Sequence, residues 1–353
     1  MKEEKYVAYV GTYTHENSVG IHIYDVDVEK GQLHERKVVP INNPSDLVVS
    51  KNKKYLYSIA DEGVEAFRIL PDGDLEAMNK QWIGGMRGCY VETDNENHFL
   101  FVGGHHDGRV TMMRLLPDGS IGEIADGIFH KGTGKVSDRH NSVPHVDCVK
   151  LTPDQQFLCA VDNGLDQVKI YRVDYEFGKL KLIDIIRGPL DSAPRMIRFS
   201  RNGKFAYILY ELLNAVEVYK YSLKNNQPVF EKIQTISTTS TRNPGNLTAA
   251  CAMRLSPDEK FVYCTNAGEN TVSIYSRDEK SGLLTMICCL PVSGEYPKDV
   301  AVFPDQRHIA SINHDSGSIS FFEVDYEKGL IVMCGRSVMV NEPNCCAIAK
   351  IGN

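Results

Sequence analysis

The sequence predicts an all-β fold, a seven-bladed β-propeller with four antiparallel strands in each blade. Short segments alternate apolar and polar residues and are separated by Asn-Gly and Pro-Asp turns, as in β-hairpins. A repeat of about 40–50 residues is typical of propellers, and 353 residues leave about 50 for each of seven repeats. The repeated second strand begins 44 to 58 residues after the preceding copy, at Val7, Tyr55, Phe99, Phe157, Phe205, Phe261 and His308.

The clearest copy of the repeat lies between Pro194 and Tyr219. MIRFS and FAYILY flank the turn at 201–204, and a third strand, AVEVYKY, follows a short bend. Arg195 stands just before the first strand of this copy, and Glu211 stands where the second strand ends. No other copy has Arg at the first of these positions or Glu at the second. Both residues are therefore candidates for a functional site.

The two ends of the chain are predicted to share one blade. Residues 5–40 hold only three strands, and the missing innermost strand matches PNCCAIAKI at 343–351. Closure by strands from both termini removes the open edge of the sheet and locks the ring. We therefore expect residues 1–353 to form a single domain without a linker.

Composition and charge narrow the function classes. The hydrophobic content of 42% with 24% charged residues is that of a globular protein. The net charge of −7 argues against nucleic acid or an anionic membrane as partner, and no apolar run approaches the roughly 18 residues of a membrane span. The N-terminal segment lacks the apolar core of a signal peptide. We expect a cytoplasmic protein with reduced cysteines, as a monomer or weak homodimer.

The propeller geometry predicts a binding site at one mouth of the channel. The start of each innermost strand and the end of each second strand meet there, together with the insertions before blades four and six. The predicted strand-one starts are Ser45, Cys89, His145, Arg195, Cys251, Lys298 and Asn344. The predicted strand-two ends are Tyr13, Asp61, His105, Asn163, Glu211, Ala267 and His314. A concave site with convergent polar groups is the default site for binding or catalysis.

Three of these residues form the predicted catalytic group. His145, Arg195 and Glu211 lie on the adjacent blades four and five, and three titratable groups at one channel mouth need partners or a ligand. Arg suits a carboxylate, a phosphate or a developing oxyanion, and His or Glu can move a proton. Which of His145 and Glu211 is the base stays open.

The other candidates are predicted to bind substrate. Their polar or charged side chains are expected to face the catalytic group or to contact an anion at the same mouth, and they are Tyr13, His105, Arg139, Lys298 and His314. No spacing of Cys and His resembles a zinc site, and the chain has no Gly-rich phosphate loop, HExxH motif or nucleophile elbow. We therefore expect neither a metal nor a cofactor.

Several runs of the sequence resemble a known family. YVGTYT, DRHNSVPHVD at 138–147, APRMIRFSRNGKFAYILYEL and YPKDVAVFPD are similar to the seven-bladed propeller lactonases, the group of 6-phosphogluconolactonases and carboxymuconate cyclases. The similarity covers essentially the whole chain. It implies hydrolysis of a sugar-acid lactone without a metal, and it places the family's proposed catalytic His, Arg and Glu on His145, Arg195 and Glu211.

Three positions depart from that family's pattern. Ala267 stands where the family has a second functional Arg, Tyr210 stands where it has Asn, and Lys298 stands where it has Arg. These changes leave two alternatives to a lactonase. One is a non-catalytic propeller that binds a small ligand or a protein, and the other is a carboxymuconate-type cyclase on the same scaffold.

Overall fold

The computed structural model describes residues 4–14, 18–134, 143–240 and 248–352, and over these residues its regular structure consists of strands. The first fifteen are β1 (Lys5–Thr12), β2 (Gly20–Asp27), β3 (Gln32–Pro40), β4 (Leu47–Val49), β5 (Tyr55–Ala60), β6 (Gly63–Ile69), β7 (Leu75–Gln81), β8 (Tyr90–Thr93), β9 (Phe99–Gly104), β10 (Arg109–Leu115), β11 (Ile121–Phe129), β12 (Val146–Leu151), β13 (Phe157–Asp162), β14 (Gln167–Asp174) and β15 (Lys179–Arg187). The others are β16 (Pro194–Phe199), β17 (Phe205–Tyr210), β18 (Ala215–Lys224), β19 (Gln227–Ser237), β20 (Ala249–Leu255), β21 (Phe261–Ala267), β22 (Thr271–Arg277), β23 (Leu284–Pro291), β24 (Pro297–Val302), β25 (His308–Asn313), β26 (Ser318–Asp325), β27 (Leu330–Met333), β28 (Val338–Met339) and β29 (Pro343–Ile351).

The strands form seven antiparallel sheets arranged as blades, which confirms the predicted fold. Blades two to six take four consecutive strands each, from β4–β7 to β20–β23. Blade seven runs β24-β25-β26-β27, and its outer strand is interrupted, so that β28 also pairs with β26. No helix in the described part of the chain is long and apolar enough to cross a membrane.

Blade one closes the ring as predicted, with the strand order β29-β1-β2-β3. The pairing of β1 with β29 is antiparallel and extends from Lys5 opposite Ile351 to Thr12 opposite Pro343. The predicted repeat is confirmed as well. Six of the seven repeat positions are the first residues of second strands, and Val7 lies two residues inside β1.

Strand alternation makes each blade pack on both of its neighbours. Val7 and Tyr9 of β1 lie in one buried cluster with Leu56 of blade two. Ala8 and Val10, whose side chains point to the opposite face, lie in another cluster with side chains of blade seven. Because both faces of a second strand are buried, these segments are continuous apolar runs instead of half-polar ones.

Buried tyrosines add a hydrogen bond between neighbouring blades. In three blades, a tyrosine of the second strand donates its hydroxyl proton to the backbone carbonyl of a turn glycine in the next blade. These bonds join Tyr9 to Gly73 at 2.8 Å, Tyr57 to Gly119 at 2.9 Å and Tyr207 to Gly282 at 3.0 Å. Gly73 has φ of +89°, and a Cβ there would lie 2.6 Å from a methyl group of Val7. Glycine is therefore required for this close approach.

Replacing Tyr9 with Phe is expected to lower the free energy of unfolding by about 1–2 kcal/mol, because the buried carbonyl of Gly73 loses its donor. Tyr6→Phe, in the same strand, is the matched control. The Tyr6 hydroxyl bonds the exposed Glu4 side chain, so its removal should change stability by less than about 0.5 kcal/mol. Urea unfolding measures both, and equal effects of the two changes would contradict the role assigned to the bond between blades.

Candidate active site

The innermost strands of five consecutive blades, from blade four round to blade one, begin with a β-bulge. The register of β12, β16, β20, β24 and β29, each against its second strand, skips one residue near the channel mouth. A bulge leaves this residue out of the ladder and changes the direction of its side chain. The residues skipped are Asp147, Arg195, Cys251, Lys298 and Asn344, and all five line the channel.

All of these bulge residues except Cys251 line a cavity of about 400 Å³ at the channel mouth. The cavity walls combine them with strand-two ends and with the links that lead into blades three and seven. The lining residues are Tyr13, Arg87, Gly88, Cys89, His105, His106, Asp147, Asn163, Arg195, Glu211, Tyr296, Lys298 and Asn344. A cavity of this size and polarity fits a small, charged organic molecule.

Arg195 and Glu211 form an ion pair on one side of the cavity. Nη1 of Arg195 donates to Oε2 of Glu211 at 2.6 Å, and Nε donates to the carbonyl of Cys251 at 2.7 Å. Asn163 donates to the same oxygen of Glu211 at 3.3 Å. Burial lowers the pKa of Arg195, but the nearby Glu211, Cys251 and Asp147 raise it by more. The pKa of Arg195 is therefore above its usual value. The guanidinium is thus fixed in one orientation, and its Nη2 has no partner among the described residues.

A histidine and an aspartate pair on the adjacent wall. Nδ1 of His105 lies 2.5 Å from Oδ1 of Asp147, so the carboxylate accepts the Nδ1 proton. This hydrogen bond raises the pKa of His105 above 6.5, although burial and Arg195 oppose the rise. Asp147 also lies 3.9 Å from Nη1 of Arg195. The two ion pairs therefore share one electrostatic environment.

His145 lies beneath His105 and does not line the cavity. Its ring stacks on the ring of His105 with centroids 4.3 Å apart, and its Nδ1 donates to the backbone carbonyl of His105 at 2.6 Å. His145 is 8% exposed, whereas the side chain of His105 is 40% exposed. His145 is therefore a buried support of the His105 ring.

Lys298 supplies an ammonium group that has no carboxylate partner in the described part of the chain. Its Nζ lies 5.4 Å from the ring centre of Tyr13 and 5.1 Å from that of Tyr296. Burial and the nearby Arg195 lower the pKa of Lys298. His314 packs edge-on against both tyrosine rings and so holds the aromatic walls on either side of the ammonium.

Charged side chains line the channel below the cavity. Arg254 of blade six makes a bidentate pair with Asp299 of blade seven, at 2.9 and 2.6 Å. Asp299 also accepts the backbone NH of Cys346 in blade one. Asp46 accepts the backbone NH of Val91 in blade three, and burial raises the pKa of Asp46 to about 7. These contacts join blade six to blade seven, blade seven to blade one, and blade two to blade three.

The site offers little to a metal ion. Over residues 4–14, 18–134, 143–240 and 248–352, no group of three or more His, Cys, Asp and Glu side chains is placed to hold one. Arg87, Arg195 and Lys298 line the same cavity, and their positive charges repel a cation. The arrangement is suited to binding an anion and to moving protons.

Comparison with known proteins agrees with this geometry. The family model described as "Lactonase, 7-bladed beta-propeller" matches residues 7–348. The chain belongs to this lactonase family. A 6-phosphogluconolactonase of Bacillus subtilis is 30% identical over 347 residues, with 97% of both chains covered. A 6-phosphogluconolactonase of Formosa agariphila is 28% identical, with 94% of this chain and 96% of the relative covered. The structure of the Pseudomonas aeruginosa periplasmic gluconolactonase PpgL has a TM-score of 0.90 at 27% identity, covering 98% of this chain and 99% of its own.

The structure of this lactonase-family protein brings most of the predicted site residues together. Tyr13, His105, Arg195, Glu211 and Lys298 line the cavity. His314 lies behind two of its walls, and Arg139 lies outside the described residues.

His145 does not occupy the position that the sequence analysis gave it. The bulge residues lie ten residues before the first residue of the second strand, and this count gives Asp147 in blade four as it gives Arg195 in blade five. Alignment of blade four by Pro144, as Pro194 and Pro297 align blades five and seven, gives His145, two residues before the bulge residue Asp147. The same count would have identified Asp147 from the sequence.

Other lining residues were missed. Arg87, Gly88 and Tyr296 lie in the links that precede blades three and seven, where strand periodicity gives no signal, and His106 follows the predicted strand-two end His105. Of the departures from the family pattern, Tyr210 is buried and its hydroxyl donates to Glu217 inside blade five. Ala267 is 6% exposed and is absent from the cavity lining. Neither Tyr210 nor Ala267 lines the cavity.

Replacing Lys298 with Met is expected to weaken anion binding about tenfold, because the aliphatic stem keeps its place between the tyrosine rings while the charge is lost. The measurement is the rise in melting temperature with added 6-phosphogluconate. Lys328→Met, at a side chain that is 75% exposed, is the matched control and should bind like the wild type. Equal binding by Lys298→Met and the wild type would show that Lys298 is not the anion site.

Proposed function

We propose that this protein hydrolyses a small anionic sugar lactone such as 6-phosphogluconolactone. The proposal rests on Arg195, whose guanidinium is fixed by Glu211 and by the carbonyl of Cys251 with one nitrogen left for a ligand. Membership of the lactonase family and the names of the relatives support the same reaction.

The anionic group of the substrate is assigned to the cationic side of the cavity. Lys298 carries a charge without a carboxylate partner among the described residues and lies near two aromatic rings, and Arg87 lies 5.2 Å from the ring centre of Tyr13. Nη1 of Arg87 forms an ion pair with Oδ1 of Asp61 at 3.3 Å, which partly neutralises its charge. Lys298 is therefore the stronger candidate for the phosphate or carboxylate, and Arg139 stays a sequence prediction for the same role.

Arg195 is assigned to the lactone carbonyl. Attack by water places negative charge on the carbonyl oxygen, and a prealigned guanidinium stabilises that charge without further reorganisation. Glu211 holds the guanidinium in place and keeps it charged. His145, which the family resemblance makes catalytic, contributes through the ring of His105 that it supports.

The reaction is proposed to need no metal and to take place in the cytoplasm. The cations that line the cavity disfavour a bound metal, and all ten cysteines are free thiols, as is usual in a reducing compartment. A periplasmic gluconolactonase with the same fold makes the periplasm the alternative location.

Turnover of 6-phosphogluconolactone and of gluconolactone, followed by pH-stat and corrected for spontaneous hydrolysis, tests the proposal. Glu211→Gln and Arg195→Ala are each expected to lower kcat/KM by about 100-fold or more, with the melting temperature little changed. Glu323→Gln, at an exposed ion pair, is the control and should match the wild type. Full activity of both site variants would contradict the site, and absence of turnover by the wild type would favour a non-catalytic binding propeller or a cyclase.

Dialysis against EDTA is expected to leave the lactonase rate within about twofold of the untreated protein, because the reacting groups are protein side chains. Metal analysis of the same samples accompanies the rate measurement. Loss of activity that added Zn²⁺ or Mg²⁺ restores would overturn the metal-free mechanism while leaving the lactonase assignment in place.

A further inference from the structure

Two histidines compete for the role of general base at this site, and the structure separates them. His105 lines the cavity, whereas His145 stacks on the ring of His105 and is not among the lining residues. A base must reach the proton that it removes, directly or through one water. Accessibility therefore favours His105.

Hydrogen bonding fixes the tautomer of both rings. Nδ1 of His105 donates to the Asp147 carboxylate, and Nδ1 of His145 donates to the carbonyl of His105. In the neutral form of His105, the lone pair is then on Nε2, which has no partner among the described residues. A carboxylate that fixes a histidine in this way both orients the ring and stabilises its protonated form.

The repeat of the fold explains why His105 and Asp147 lie next to each other. Asp147 is the bulge residue of β12, and His105 follows the end of β9 in the neighbouring blade. These are the same two positions in the repeat that Arg195 and Glu211 occupy within blade five. One ion pair thus lies within a blade and the other joins two blades, and both face the same cavity.

We propose that His105 is the general base and acid of the lactonase reaction, with Asp147 and His145 as its positioning residues. This inference rests on the proposed function. Water attacks the lactone carbonyl carbon and transfers a proton to Nε2 of His105, while the carbonyl oxygen takes the negative charge beside Arg195. The tetrahedral intermediate then collapses, the ring C–O bond breaks, and His105 returns the proton to the departing ring oxygen. The product is the open hydroxy acid, and the protein regains its starting state.

Other charged groups set the pH at which His105 works. Asp147 and Glu211 favour its protonated form, whereas Arg195 disfavours it. Its ring also contacts His106, which is edge-on, and His145, which is stacked. Asp147 has the largest effect and raises the pKa of His105. Because a general base acts in its unprotonated form, activity should fall as the pH drops through this raised pKa. Asp147→Asn removes that effect, so the acidic limb of the pH profile should move to lower pH.

The test compares His105→Asn, Asp147→Asn and His145→Phe in the hydrolysis of 6-phosphogluconolactone. His105→Asn is expected to lower kcat by about 100-fold or more with little change in KM. Asp147→Asn is expected to lower kcat at least about tenfold and to shift the acidic limb downward. His145→Phe keeps a stacked ring, so its loss should stay within about tenfold, with the limb unmoved. His98→Asn, at an exposed surface histidine, is the control.

Three outcomes would overturn the proposal. His105→Asn could retain activity within about threefold of the wild type, His145→Phe could lose as much as His105→Asn, or the acidic limb could stay in place in Asp147→Asn. The first two would return the role to His145 or Glu211. The third would show that the limb belongs to another group.

A second readout does not depend on turnover. Nitrogen-15 NMR of the wild-type protein at pH 8.5 distinguishes the two histidine tautomers, and His105→Asn assigns the signal. The proposal requires a protonated Nδ1 and an unprotonated Nε2 at His105, and the opposite tautomer would overturn it. If the wild type hydrolyses neither lactone, the proposed function fails, while the NMR result still decides whether the His105–Asp147 pair exists as described.

Discussion

The pairing of β1 with β29 is the constraint on which the rest of the structure depends. A blade buries both faces only when it has neighbours on each side, so an open ring would leave two blades half exposed. Eight residue pairs join the two terminal strands, and the clusters on either side of β1 include residues of blades two and seven. The sheet that holds the chain ends together therefore also fixes the spacing of all other blades around the channel.

Ring closure gives the site its rigidity, and the β-bulges give it its chemistry. A regular strand alternates its side chains between the two neighbouring blades, as the second strand β1 does. The bulge interrupts this alternation in an innermost strand and directs one side chain per blade into the channel. Asp147, Arg195 and Lys298 reach the cavity in this way, from blades four, five and seven. The identity of a single residue in each repeat can then change the chemistry while the packing between blades is kept.

Much of this arrangement could be predicted from the sequence because the repeat is regular. Counting six residues from the start of a second strand correctly predicted His105 and Glu211 at the channel mouth. Counting ten residues back from the same start correctly predicted Arg195 and Lys298 there. Blade four failed because its proline, Pro144, lies two residues further from the second strand than the prolines of blades five and seven, so alignment by the proline gave His145 in place of Asp147. The pairing of Val146 with Asp162 shows the correct register.

Other parts of the site carry no sequence signal. Arg87 and Tyr296 lie in links whose course depends on packing between blades, and no periodicity marks them. The stack of His105 on His145 likewise depends on how blades three and four pack, because His105 follows β9 and His145 precedes β12 of the next blade. Hydrogen-bond partners at the site, such as Asp147 for His105, follow from these placements and could not be predicted before them.

The distribution of charge shows how an acidic protein can bind an anion. The chain carries a net charge of −7, yet the described residues that line the cavity include three cations, Arg87, Arg195 and Lys298, and two carboxylates, Asp147 and Glu211. At physiological ionic strength the field of distant charges is screened over about 8 Å, so a substrate at the mouth responds chiefly to the lining residues. Both carboxylates are engaged, one with His105 and one with Arg195, whereas Lys298 is not. The local charge available to a ligand is therefore positive, and attraction of the substrate depends on the cavity and not on the overall charge of the protein.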